Sequence, residues 1–112
     1  MTVPHAVSIG EMPPEAVAVV AEFHAKPGRE DELRALTLPL VARARREPTT
    51  LLFFLHEASD VPGQFVFYEV YASQADFEAH VAQAHVQAWF AKLAELTESG
   101  VRAMHTKFIG PR

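Results

Sequence analysis

Residues 64–90 constrain the fold of this chain most, because a strand pattern passes directly into a helical pattern there. Residues 65–71 alternate with the period of a β-strand, which places Glu69 and Tyr71 on the same face as Phe65 and Phe67. A glutamate in such an aromatic row is costly to bury unless it has a partner or a task. The helical segment that follows carries His80, His85, Trp89 and Phe90. If this helix folds back over the row, the stretch predicts a small catalytic or binding pocket.

Length and composition indicate one globular domain. The 112 residues are enough to bury a core but too few for a second domain. Hydrophobic residues make up 49% and charged residues 21% of the chain, which is typical of soluble proteins. The formal net charge of -4 gives no electrostatic reason to expect a nucleic-acid partner.

Two further classes are disfavoured by the sequence. No run approaches the roughly 18 apolar residues of a membrane-spanning helix, and residues 1–14 lack the basic start and apolar centre of a signal peptide. We therefore expect a cytoplasmic protein with no membrane partner. The chain contains no cysteine, which excludes disulfides, thiolate nucleophiles and cysteine-bound metals.

The first half of the chain predicts an arm, a strand and a helix. Residues 1–15 contain three prolines and indicate an irregular N-terminal arm, so the single domain is expected over residues 16–112. Residues 16–25 predict a strand that ends at Lys26-Pro27-Gly28. Residues 29–46 have helical spacing, with acids at the start and arginines at the end, as the helix macrodipole favours. Pro39 is expected to kink this helix without dividing it.

The second half predicts a hairpin, a helical region and a last strand. Residues 50–56 and 65–71 read as antiparallel neighbours joined by a loop over residues 57–63. Ser73 and Asp76 have the spacing of a helix N-cap, and helical spacing continues to Ser99-Gly100. Residues 101–109 predict the last strand.

The order β-α-β-β-α-β is typical of the α+β ferredoxin-like fold, an antiparallel four-stranded sheet with its helices on one face. The opposite face would then carry mostly apolar side chains. This set comprises Leu52, Phe54, His56, Val66, Tyr68 and Val70. Because such a face is unfavourable in water, we expect a homodimer that pairs sheet to sheet.

Five segments, taken in order, resemble the antibiotic biosynthesis monooxygenase domain of the dimeric α+β barrel superfamily, which includes quinol monooxygenases. They are VAEFHAKPGRE at 20–30, RARREP at 43–48, FFLHE at 53–57, FVFYEVY at 65–71 and FEAHVAQAHVQAWF at 77–90. The resemblance extends over residues 17–108. Two positions depart from the family pattern: Thr49-Thr50 replaces its usual Gly-Cys, and Tyr71 stands where the family often has tryptophan.

The resemblance implies an oxygenase that uses no cofactor, neither metal nor flavin. Its partners would be a small aromatic substrate and dioxygen: a phenol or hydroquinone is deprotonated and its anion passes an electron directly to dioxygen. Such chemistry needs a base at the hydroxyl, a dry cavity and groups that stabilise the anion.

Eight residues are candidates for these tasks. The catalytic candidates are His80, His85 and Glu69, and the substrate-binding candidates are Tyr71, Phe53, Phe67, Trp89 and Phe90. We expect a histidine to be the base, because the ordinary pKa of histidine, about 6.5, suits proton transfer near neutral pH. Glu69 would then orient that histidine or hold the substrate hydroxyl.

Each candidate also has a structural interpretation. Glu69 could pair with an arginine or cap a loop, and Trp89 and Phe90 could be ordinary core residues. His80 and His85 are five positions apart, about 140° on a continuous helix, so they converge only if the helix breaks between them.

A metal site is not expected. The spacing of His80 and His85 does not match the i, i+4 pair of a zinc-binding helix. His24, His56 and His105 lie on three predicted strands, where a cluster would be a pH-sensitive packing feature rather than a metal site. Two alternative functions stay open: an isomerase or lyase of the same superfamily, and a non-oxygenase that binds haem or another small ligand.

Overall fold

The computed structural model describes residues 12–110, which form four strands and three helices. In chain order these are β1 (Val17–His24), α1 (Glu30–Ala44), β2 (Thr50–Glu57), β3 (Gln64–Tyr71), α2 (Gln74–Ala82), α3 (Ala84–Leu96) and β4 (Arg102–Lys107). Every predicted strand is confirmed to within a few residues at each end. The predicted N-terminal arm lies outside the described residues as far as residue 11.

The four strands form one antiparallel sheet in the order β2-β3-β1-β4. This confirms the predicted ferredoxin-like α+β fold, and it confirms that β2 and β3 are antiparallel neighbours. The registers set Phe53 of β2 and Val19 of β1 on either side of Glu69, and His105 of β4 beside Val19. One row of the sheet therefore carries Glu69 at its centre.

Helix α1 packs on the sheet through one stripe of its surface. Its buried residues are Leu33, Thr37, Leu40 and Ala44, which recur every three or four positions. Acids occupy its first turn and Arg43 its last, so the predicted match to the macrodipole is confirmed. Pro39 lies inside the helix, which continues past it as a single element.

The second helical region is divided at Gln83. Helix α2 begins after Ser73, whose hydroxyl oxygen accepts a hydrogen bond of 3.1 Å from the backbone N–H of Asp76. Gln83 then adopts an extended conformation, with φ -65° and ψ 142°, before α3 begins. His80 and His85 consequently lie on different helices.

The core lies between the sheet and the helices and is rich in aromatic rings. Phe23 is at its centre, with its ring centroid 5.1 Å from that of Phe67 and 5.4 Å from that of Trp89. Apolar burial of this kind is the main stabilising contribution in a domain of this size.

The other face of the sheet is only partly covered. Phe54 and Met104 are exposed there, whereas Val70, one of the residues expected on this face, is completely buried within a single chain. Dimerisation through this face stays a prediction. Within residues 12–110 no helix is both long and apolar enough to cross a membrane.

Candidate functional site

A small cavity lies between the inner face of the sheet and helices α2 and α3. It has a volume of about 60 Å³, and its lining within the described chain is apolar except for Glu69 and His80. An engineered cavity of about 150 Å³ binds benzene, whereas one water needs only about 10–15 Å³. In this conformation the cavity has room for a few water-sized molecules, and an aromatic ring enters only if lining side chains move.

Glu69 is the acidic group of the cavity, and only 6% of it is exposed. The Tyr71 hydroxyl donates a hydrogen bond of 2.5 Å to Glu69 Oε1. Burial raises the pKa of Glu69 to about 7, although the bond from Tyr71 favours the ionised form and opposes part of this rise. Within residues 12–110 no arginine or lysine forms an ion pair with it. Near neutral pH this carboxyl group can therefore either donate or accept a proton.

Tyr71 contacts Glu69 through its hydroxyl group, but it is not among the residues that line the cavity. Its ring is completely buried, with centroids 5.4 Å from Phe77 and 5.3 Å from His80. Burial and the nearby Glu69 carboxylate raise the pKa of the Tyr71 phenol far above its ordinary value. The hydroxyl is therefore a permanent hydrogen-bond donor to Glu69.

His80 lines the cavity from the last turn of α2, with 5% of the residue exposed. Its Nδ1 lies 2.8 Å from Oε2 of Glu47, in the segment between α1 and β2. The second Glu47 oxygen accepts a hydrogen bond from the side-chain amide of Gln83. The carboxylate in contact with His80 Nδ1 is thus that of Glu47 rather than that of Glu69. Sequence reasoning did not single out Glu47, and the available signal was its place in the family-like segment 43–48.

His85 does not join Glu69 and His80. It lies in a separate groove of about 230 Å³ between α1 and α3, beside Arg43 and Pro39. Burial lowers the pKa of His85, and its Nε2 is buried with no hydrogen-bond partner among the described residues. The structure therefore separates the two candidate histidines into two environments.

Four of the five predicted substrate-binding residues line the cavity. These are Phe53, Phe67, Trp89 and Phe90, while Tyr71 lies behind Glu69. The Trp89 indole is held in place because its Nε1 donates a 3.1 Å hydrogen bond to Thr37 Oγ1. Trp89 also lines the groove of His85, so its ring forms part of the wall between the two spaces.

The three strand histidines do not form a cluster. The His105 ring packs on Phe77, 5.1 Å between centroids, on the helix side of the sheet. His24 alternates with the inward Phe23, and it lies on the opposite face from His105. In the described part of the chain, no three histidine, aspartate or glutamate side chains are placed to hold a metal ion.

Solved structures with the same fold include proteins from several bacteria. The Mycobacterium tuberculosis protein Rv0793 is 27% identical, with a TM-score of 0.80 over 86% of this chain and 97% of its own. Protein SO0527 from Shewanella oneidensis is 28% identical, with a TM-score of 0.76 over 86% and 95% of the two chains. A Nitrosomonas europaea protein proposed to be an antibiotic biosynthesis monooxygenase is 21% identical, with a TM-score of 0.81 over 89% and 96%; that likeness shows the fold alone.

Among curated proteins, none matches this chain significantly. The sequence model of one family, described as antibiotic biosynthesis monooxygenase, matches residues 16–92. This match includes β1, α1, β2, β3, α2 and most of α3, and therefore all eight candidate residues. The chain belongs to the antibiotic biosynthesis monooxygenase family.

Proposed function

We propose that this protein oxidises an electron-rich phenol or hydroquinone with dioxygen and inserts one oxygen atom into it. One observation carries the proposal: a buried carboxyl group, Glu69, with a pKa of about 7, shares an apolar, aromatic-lined cavity with the imidazole of His80. Titratable groups with shifted pKa in an enclosed pocket are typical of catalytic sites. Family membership supports the same reaction class.

The reaction balances with dioxygen as the only oxidant. A base removes the hydroxyl proton of a hydroquinone, and the anion passes one electron to dioxygen. The resulting superoxide and substrate radical combine, which forms a carbon–oxygen bond. The O–O bond then breaks and water leaves, so that one hydroquinone and one dioxygen give one hydroxyquinone and one water.

The described residues support a division of labour in this scheme. His80 is the proposed base, since its imidazole lines the cavity and offers a ring nitrogen that can accept a proton. Glu69 is held by the hydrogen bond from Tyr71. When its carboxyl group is protonated, Glu69 donates a hydrogen bond to the substrate oxygen on which negative charge develops. Phe53, Phe67 and Trp89 exclude water and stack on the ring. His85 has no part in this scheme.

Oxygen uptake with a panel of hydroquinones and polycyclic phenols tests the proposal. With ¹⁸O-labelled dioxygen, we expect one labelled atom in the organic product and the other in water. Substrate turnover that continues in nitrogen-flushed buffer would contradict the proposal and favour the isomerase or lyase alternative. A Soret band that develops with added haem, without oxygen uptake on any phenol, would favour the ligand-binding alternative.

A further inference from the structure

We propose that Glu47 is a positioning residue, which holds His80 as the Nδ1–H tautomer and leaves Nε2 as the basic nitrogen. The catalytic consequence of this arrangement rests on the proposed function, whereas the tautomer does not.

Glu47, His80 and Gln83 form a hydrogen-bonded cluster. The donors and acceptors of this cluster determine which ring nitrogen of His80 carries the hydrogen. An ionised carboxylate can only accept hydrogen bonds. One Glu47 oxygen accepts from the Gln83 side-chain amide, and the other is 2.8 Å from His80 Nδ1. Nδ1 must therefore carry a hydrogen, so the neutral ring has its lone pair on Nε2.

The cluster joins three separate segments of the chain. Glu47 is fixed by its own backbone, whose N–H donates a 3.1 Å hydrogen bond to the Ala44 carbonyl at the end of α1. His80 comes from the last turn of α2, and Gln83 is the extended residue that divides α2 from α3. Gln83, at the helix break, thus donates a side-chain hydrogen bond to Glu47. His80 lies on the last turn of α2, just before the break.

The surroundings of His80 favour a fixed ring. Its imidazole packs against Phe53, 5.7 Å between ring centroids, and against Tyr71 at 5.3 Å. Tyr71 and Glu69 face it from β3, and His85 on α3 is close enough to interact electrostatically with both His80 and Arg43. Glu47 is the group that directly contacts a ring nitrogen, and its negative charge stabilises the imidazolium that forms when Nε2 takes a proton.

Nitrogen NMR of the ¹⁵N-labelled histidine rings tests the tautomer directly in the intact protein. The His80 signals are assigned by their loss in His80→Gln. In the wild type we expect His80 to be the Nδ1–H tautomer when neutral. In Glu47→Gln a single amide oxygen must serve both His80 and Gln83, so the fraction of the Nε2–H tautomer should rise. Glu47→Asp keeps an acceptor-only side chain and should restore most of the Nδ1–H form.

Kinetics of the same variants test the consequence. Because a positioning group acts in the transition state, Glu47→Gln should lower kcat about 10- to 100-fold with KM changed less than about 2-fold. Glu47→Asp should recover part of kcat. Glu78→Gln is the matched control, since Glu78 is an exposed carboxylate on the same helix that accepts a hydrogen bond from Gln74, and it should change neither kcat nor the tautomer.

Each outcome decides the proposal. An Nε2–H tautomer in the wild type would overturn it, even if both Glu47 variants failed to fold, and so would a Glu47→Gln protein with an unchanged tautomer. If no phenol or hydroquinone is oxidised but the Nδ1–H form depends on Glu47, the positioning role stands and the proposed oxygenation fails.

Discussion

His80 and His85 are five residues apart, yet the fold gives them opposite surroundings. His80 is buried, its Nδ1 is bonded to Glu47, and its ring lines the same cavity as Glu69. His85 is half-buried in the groove between α1 and α3, and its buried Nε2 has no partner among the described residues.

The extended backbone of Gln83 breaks the helix between the two histidines, yet the break does not bring them into one site. On a continuous helix the two histidines would point about 140° apart. After the break, the first turns of α3 lie against α1, with His85 beside Arg43. A polar side chain becomes a functional candidate here because of its partners and the cavity it lines, and not because of its residue type.

The largest effect is expected for the cavity histidine. Because it removes the proposed base, His80→Gln should lower kcat about 10²- to 10⁴-fold. The amide of the introduced glutamine can still donate to Glu47, so the fold should be kept. Oxygen uptake and thermal unfolding of the same sample measure both effects.

His56→Gln is the control for this prediction, since His56 is exposed on the far face of the sheet. Equal losses in the two variants would mean that His80 has no special role. A His80→Gln protein that keeps wild-type kcat would exclude it as the base.

The second prediction concerns the free energy of unfolding that the protein loses when Glu69 ionises. Its pKa is raised from 4.5 to about 7 in the folded state, so the folded chain holds a proton that the unfolded chain releases. Stability therefore falls as pH rises from about 4.5 to 7, and the difference is about 3 kcal/mol at roughly 1.4 kcal/mol per pKa unit. Glu69→Gln removes this loss and should be more stable than wild type above pH 7.

Denaturant titrations at several pH values measure that difference, which should vanish below about pH 4.5. Glu57→Gln should show a pH dependence of the opposite sign. The hydrogen bond from Arg34 lowers the pKa of Glu57, so the stabilisation that ionised Glu57 provides is lost as pH falls. A stability difference between Glu69→Gln and wild type that is independent of pH would contradict the assigned shift.

The third prediction concerns the wall between the cavity and the groove. Thr37→Val leaves the buried Trp89 Nε1–H without its acceptor, which should cost about 2 kcal/mol of the free energy of unfolding. Thr37→Ser keeps the hydroxyl and should cost less. Chemical denaturation followed by the fluorescence of Trp89 measures both, and equal losses would show that the hydrogen bond contributes little.

Local patterns predict much of this fold and most of the candidate residues that line the cavity, but they do not predict the contact between Glu47 and His80. β1 follows the apolar run at residues 16–25, and β3 follows the alternation at residues 65–71. The break at Gln83 has no glycine or proline to mark it, and the sequence could show only that a break is necessary for the histidines to converge. Glu47 and His80 are 33 positions apart in the chain. Their contact depends on tertiary packing, so no periodic pattern in the sequence indicates it.

The smallest effect is expected for His85. His85→Gln should change kcat less than about 2-fold and the free energy of unfolding by less than about 1 kcal/mol, because the side chain is half-buried and makes no hydrogen bond through Nε2 within the described residues. Oxygen uptake measured alongside His80→Gln provides the direct contrast. Since Leu40 and Trp89 line both spaces, a loss in His85→Gln as large as that in His80→Gln would mean that cavity and groove open into one site when substrate enters. In that case the wall of Trp89 would move on binding, and the 60 Å³ cavity would be the closed end of a larger pocket.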